Sequence, residues 1–125
     1  MIERIDTGIA PSSAPVSDAI RAGQQVWLVA IAEDPVSGEI VTGGIEAQTR
    51  RTIQNLQTAI EAAGGTLANI VQVQIFLTDS ADAKGMNAVY AEFFKQPYPV
   101  RATVVVKELL AAGLKVEMLA TAVVG

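Results

Sequence analysis

Only two stretches of this chain repeat apolar residues at helical spacing, while five carry the short apolar runs of β-strands. In the first helical stretch Ile45, Thr49, Ile53, Leu56, Ile60 and Ala63 recur three or four residues apart, with Glu46, Arg50, Gln54, Gln57 and Glu61 between them. That spacing predicts an amphipathic helix, closed by Gly64-Gly65. The second follows the capping residues Thr78, Asp79 and Ser80 and runs to about Phe94, with Met86, Tyr90, Phe93 and Phe94 as its inner stripe. The strand runs cover residues 19–22, 25–32, 70–77, 101–107 and 115–123. In the third of them Val71, Val73, Ile75 and Leu77 are expected on one face and Gln72 and Gln74 on the other. This order predicts an α+β fold, a mixed sheet with two helices on one face. The other face then has no cover, although Leu119, Thr121 and Val123 alternate with Met118 and Ala120, and Val104 and Val106 with Thr103 and Val105. An uncovered apolar sheet face predicts a homo-oligomer.

The bounds from composition are narrow. A chain of 125 residues is expected to form one domain over residues 1–125, and half its residues are hydrophobic, which excludes disorder. The net charge of -4, with no Lys/Arg cluster, argues against a nucleic-acid partner. There is no cysteine and no histidine, which removes disulfides, thiolate nucleophiles, the usual zinc ligands and any Ser-His or Cys-His dyad. No acidic loop of the calcium-binding type is present. Met1-Ile2-Glu3-Arg4 lacks the start of a signal peptide, and the apolar run from Val26 to Ala32 is too short to cross a bilayer. A soluble, cytoplasmic protein without membrane contact is expected.

Two charges stand where the apolar pattern leaves little room for them. Arg101 opens an apolar strand directly after the proline-stiffened Pro97-Tyr98-Pro99 turn, and Glu117 interrupts the last strand. A buried charge is costly unless it is paired or used. A guanidinium can hold a carboxylate through two parallel hydrogen bonds, and a carboxylate can hold and polarise a water. The pair therefore suggests hydrolytic chemistry on a small organic acid. If residues 101–107 and 115–123 form an antiparallel hairpin with Thr103 opposite Glu117, Arg101 and Glu117 share one face. Structural roles stand beside these: Arg101 as partner of an interface carboxylate, Glu117 as partner of Arg101 or Lys115, and Asn87 as partner of a turn's backbone.

Several pieces, in order, carry a resemblance over nearly the whole chain. They are Asp34-Pro35-Val36-Ser37-Gly38-Glu39, Ile45-Glu46-Ala47-Gln48-Thr49-Arg50 with Asn55-Leu56, and Val71-Gln72-Val73-Gln74-Ile75-Phe76-Leu77. Met86-Asn87-Ala88-Val89-Tyr90-Ala91-Glu92-Phe93-Phe94, Pro99-Val100-Arg101 and Lys115-Val116-Glu117-Met118 complete them. The sequence resembles the reactive intermediate deaminase family, the YjgF/RidA group with an older endoribonuclease label. The resemblance implies a chorismate-mutase-like fold assembled as a trimer around a central barrel, with active sites at the subunit interfaces. It implies hydrolysis of enamine or imine intermediates such as 2-aminoacrylate to a 2-keto acid and ammonia, without a cofactor. In that reading Arg101 grips the substrate carboxylate, Glu117 positions the attacking water and Asn87 shapes the pocket.

The chain departs from the family's pattern at three places. Ala14-Pro15-Val16 stands where many members carry Gly-Pro-Tyr, Leu28-Val29-Ala30 where they carry Ser-Gly-Gln, and Thr103 where cysteine is frequent. Val16, Leu28 and Thr103 are therefore expected in the pocket wall, which implies a more apolar substrate. The same losses leave open a non-catalytic trimer that binds keto acids or similar metabolites. An RNA-cleaving role rests on the older label alone, against an acidic chain without histidine.

Overall fold

In the computed structural model, which describes all 125 residues, the chain forms strand β1 (Ile2–Arg4), β2 (Ala19–Ala22), β3 (Gln25–Ile31), helix α1 (Ile45–Ala62), β4 (Ile70–Leu77), α2 (Ala83–Phe93), β5 (Val100–Val105) and β6 (Val116–Val123). The strands make one mixed sheet in the order β1-β2-β3-β6-β4-β5. Only β4 and β5 are parallel; the other neighbours run antiparallel. Both helices cover one face, as the two apolar stripes require. Val26, Leu28 and Ala30 of β3, Val73, Ile75 and Leu77 of β4 and alternate residues of β6 from Val116 to Ala122 point into a common core. Ile53, Leu56 and Ile60 of α1 and Met86, Val89 and Tyr90 of α2 meet them. Each large apolar side chain buried there contributes roughly 1.5–3 kcal/mol. No helix is long and apolar enough to cross a membrane.

The predicted helix stop is the observed one. Gly64 has a φ of +91°, its N–H donates to the Glu61 carbonyl, and the Gly65 N–H donates to that of Ile60. This is the six-to-one closure that glycine permits at a helix end. Around Thr78 the outcome differs: Asp79 caps a short 3-10 turn over Ser80–Asp82 before α2 begins. β1, which the sequence pattern did not reveal, adds an edge strand whose residues are all exposed.

Residues 101–107 and 115–123 do not pair as a hairpin. A helix joins β4 to β5, and such a crossover returns the chain parallel to the strand it left. β5 therefore lies beside β4, while β6 runs between β3 and β4. The two patterns agree with these places, since β6 alternates buried and less buried residues and β5 is exposed throughout. Val71 also leaves its expected face. The register shifts between Ile70 and Gln72, and this irregularity leaves Val71 46 % exposed.

The face opposite the helices is open. Trp27 (40 % exposed), Leu119 (42 %), Val104 and Val123 stand on it, with Gln72 and Gln74 among them. The sequence pattern anticipated this uncovered apolar surface.

Candidate active site

The Pro97-Tyr98-Pro99 turn leads into β5 and sets Arg101 near its start. Register with Val73 turns Arg101 to the helix side of the sheet, but at an edge strand that the helices do not fully cover. Its guanidinium lies over the ring of Tyr90 on α2, 4.7 Å from the ring centre. Such a cation–π contact contributes about 0.5–1 kcal/mol at an exposed site and fixes the side chain's direction. Tyr90 is itself held by stacking on Phe94, 4.2 Å between ring centres. Its hydroxyl is buried without a hydrogen-bond partner. Burial pushes the Tyr90 phenol above its ordinary pKa, and the charge of Arg101 pulls it back in part.

Around this guanidinium lies a recess of about 330 Å³, lined by Asn87, Tyr90, Ala91, Tyr98, Pro99 and Arg101. Asn87, Tyr90 and Ala91 are spaced three and four residues apart, so they share one side of α2. Arg101 pairs with no carboxylate; the structure's one salt bridge joins Arg50 to Glu92 at 2.8 Å. A fork of unused N–H donors above an aromatic ring, inside a recess, is suited to receiving an anion in a fixed orientation.

Glu117 occupies a different surface. Its neighbours in register are Ile31 of β3 and Phe76 of β4, and all three point to the open face. Burial by this surround raises the Glu117 pKa above its ordinary value, with no cation nearby to oppose the shift. The entry to β6 and the end of β3 are tied down by two buried side chains of α1. Gln48 donates to the carbonyls of Val41 (3.2 Å) and Gly113 (2.8 Å) and accepts from the Lys115 N–H at 2.7 Å, two residues before Glu117. Asn55 donates to the carbonyls of Ile31 and Glu33, both at 2.9 Å, which fixes the end of β3. A carboxylate so placed, partly dry and rigidly backed, can serve as a general base.

Arg101 and Glu117 therefore lie on opposite faces of one sheet, against the shared face expected of a hairpin. The cause is β4: it separates the two strands, and its Val73 and Phe76 point to opposite sides. Asn87 and Arg101 do share the recess. Thr103 lies on the Arg101 side of β5, in register with Ile75, and is exposed. Val16 is 62 % exposed in the loop before β2.

Leu28 belongs to the core and not to the Arg101 recess. It is 1 % exposed inside the core, because the alternation of β3 turns Val26, Leu28 and Ala30 toward the helices and Val29 and Ile31 toward the open face. Two recess residues had no functional place in the sequence reading: Tyr90 was expected only as core, and Tyr98 only as part of a stiff turn. The signal for both was proximity to a lone arginine, Tyr98 along the chain and Tyr90 on the helix face that carries Asn87.

No group of three or more acidic, histidine or cysteine side chains is close enough to hold a metal ion.

Comparison with known proteins places these residues in a wider set. Residues 7–124 match the family model described as Endoribonuclease L-PSP. A RutC family protein of Pyrococcus horikoshii is 41 % identical over 111 residues, covering 87 % of this chain and 88 % of that protein. The human 2-iminobutanoate/2-iminopropanoate deaminase is 31 % identical over 123 residues, covering 97 % and 89 %. Among solved structures, Escherichia coli TdcF with bound serine superposes with a TM-score of 0.89 at 30 % identity, covering 98 % of this chain and 99 % of that one.

Proposed function

The chain belongs to the Endoribonuclease L-PSP family, the YjgF/RidA group, and from that premise we propose that it is an imine deaminase acting on small carboxylate-bearing imines, with residues 1–125 forming the single functional domain. The observation that carries this reading is the pair of unpartnered charges: a guanidinium fixed over Tyr90 in a recess and a partly buried carboxylate on the open face. Relatives described as 2-iminobutanoate/2-iminopropanoate deaminases, from human and Dermatophagoides farinae, support it at 31 % and 36 % identity.

Arg101 holds the substrate carboxylate through two hydrogen bonds, with Asn87 and Thr103 beside it. Glu117 takes a proton from a water as that water's oxygen adds to the imine carbon. Glu117 passes that proton to the imine nitrogen, giving a carbinolamine. The remaining hydroxyl proton then follows to the nitrogen as the carbon–nitrogen bond breaks, so ammonia leaves and the oxygen stays as the carbonyl of a 2-keto acid. The imine carbon is already electrophilic, so the residues named carry the chemistry. A thousandfold acceleration asks for only about 4 kcal/mol of differential stabilisation.

Because Arg101 and Glu117 point to opposite faces of one sheet, one chain does not complete this site alone. Assembly as a trimer resolves this: the open apolar faces turn inward, and the exposed β5 edge of one protomer meets the open face of the next. The Arg101 recess of one copy then faces Glu117 of its neighbour, and Val16 of the neighbour is available to the same cleft. The uncovered Trp27, Leu119 and Val104 support such burial.

The test is ammonia release from freshly generated imines. Glu117→Gln should lower kcat/KM by about a hundredfold or more while keeping keto-acid affinity within about threefold. Arg101→Ala should remove keto-acid binding. Val16, where many members carry tyrosine, favours a second reading in which the trimer binds such acids without turnover. That reading predicts keto-acid binding through Arg101 and no imine acceleration in wild type.

A further inference from the structure

Tyr98 is 58 % exposed and makes no side-chain hydrogen bond, yet it lines the recess that holds Arg101. It stands between Pro97 and Pro99, whose rings fix their own φ angles and stiffen the turn. The side chain is thus presented on a rigid backbone with two rotatable bonds, so little freedom remains to lose when something packs on it. The other walls agree in character: Tyr90 already carries the guanidinium on its face, and Ala91 and Pro99 are apolar. Beyond the two tyrosine hydroxyls, only the Asn87 and Arg101 side chains bring polar groups to this lining.

We propose that Tyr98 determines specificity at this site, making the recess select 2-imino acids with an aromatic side chain over those with a methyl or methylene group. The proposal rests on the deaminase reading of Arg101. A three-carbon acid gripped by Arg101 uses only a small part of about 330 Å³ and leaves the Tyr98 ring in water. A benzyl-sized group on the same acid reaches the aromatic wall, where removal of apolar surface and ring–ring contact both favour it. Ring pairs add about 0.5–1.5 kcal/mol beyond the area they bury, and each 1.4 kcal/mol is tenfold in affinity or rate.

The experiment compares wild type, Tyr98→Ala and Tyr98→Phe on two imines made in situ by an amino-acid oxidase, from phenylalanine and from alanine. The quantity read is the ratio of kcat/KM for the aromatic imine to that for the small one. Wild type should favour the aromatic imine, Tyr98→Ala should lower the ratio about tenfold, and Tyr98→Phe should keep it. A ratio unchanged in Tyr98→Ala overturns the proposal, as does a wild-type preference for the small imine. Calorimetric titration with phenylpyruvate and pyruvate separates the two claims. If no imine is accelerated, the deaminase reading fails. Selectivity then stands if wild type binds phenylpyruvate more tightly and Tyr98→Ala does not, and falls if wild type binds the two alike.

Discussion

Between Ile31 and Phe76 the Glu117 carboxylate has lost water without gaining a cation, so the folded chain favours its protonated form. The folded protein therefore binds that proton more tightly than the unfolded one. The sign follows by linkage: Glu117 disfavours the fold least below the ordinary glutamate pKa and increasingly as pH rises through its higher folded value. A general base must be ionised to act, so activity should rise over the same window in which stability falls. Glu117→Gln should abolish both trends and melt at a higher temperature than wild type at neutral pH. Thermal melts and kcat/KM profiles of the two proteins between about pH 4 and 8 check this. Equal melting at neutral pH, or a wild-type activity profile without an acidic limb, would contradict it. At this scale the sequence was informative about charge and silent about environment. Arg101 and Glu117 were conspicuous as charges in apolar strands, whereas the orphaned Tyr90 hydroxyl and the exposed Tyr98 depend on what packs around them.

Helix α1 positions the strands as well as covering them. Gln48 satisfies two carbonyls and one N–H around the entry to β6, and Asn55 holds the end of β3. Gln48→Ala would leave those backbone groups unsatisfied and loosen the strand that carries Glu117. It should cost about 2–3 kcal/mol, read as a lower urea midpoint with an unchanged slope. A loss below about 0.5 kcal/mol would show that the backbone groups find other partners. Elements and their faces were largely legible, because alternation in β3 and β6 and the stripes of α1 and α2 are local properties. Which strands pair is not local. β6 joins β3 and β4 rather than β5 because α2 carries β5 across to lie parallel with β4. The inward turn of Leu28 was present in that alternation, but alignment to a family motif carries a position and not the direction of its side chain.

For the molecule as a whole, the sheet has one face dressed by helices and the other bearing exposed tryptophan, leucine and valine. Copies that close this face around a three-fold axis would also bring together the two charges that one chain holds apart. The claim that Arg101 and Glu117 act from different protomers makes an unusual demand: two inactive variants should rescue each other. Arg101→Ala and Glu117→Gln, each inactive alone, would be co-expressed or refolded together in equal amounts and assayed for imine deamination. With random assembly roughly three trimers in four are mixed, and each mixed trimer holds one native pairing in three. About a quarter of wild-type activity should therefore return. Activity no higher than that of either variant alone, in samples shown to contain mixed trimers, would mean that the two residues do not meet across a subunit interface.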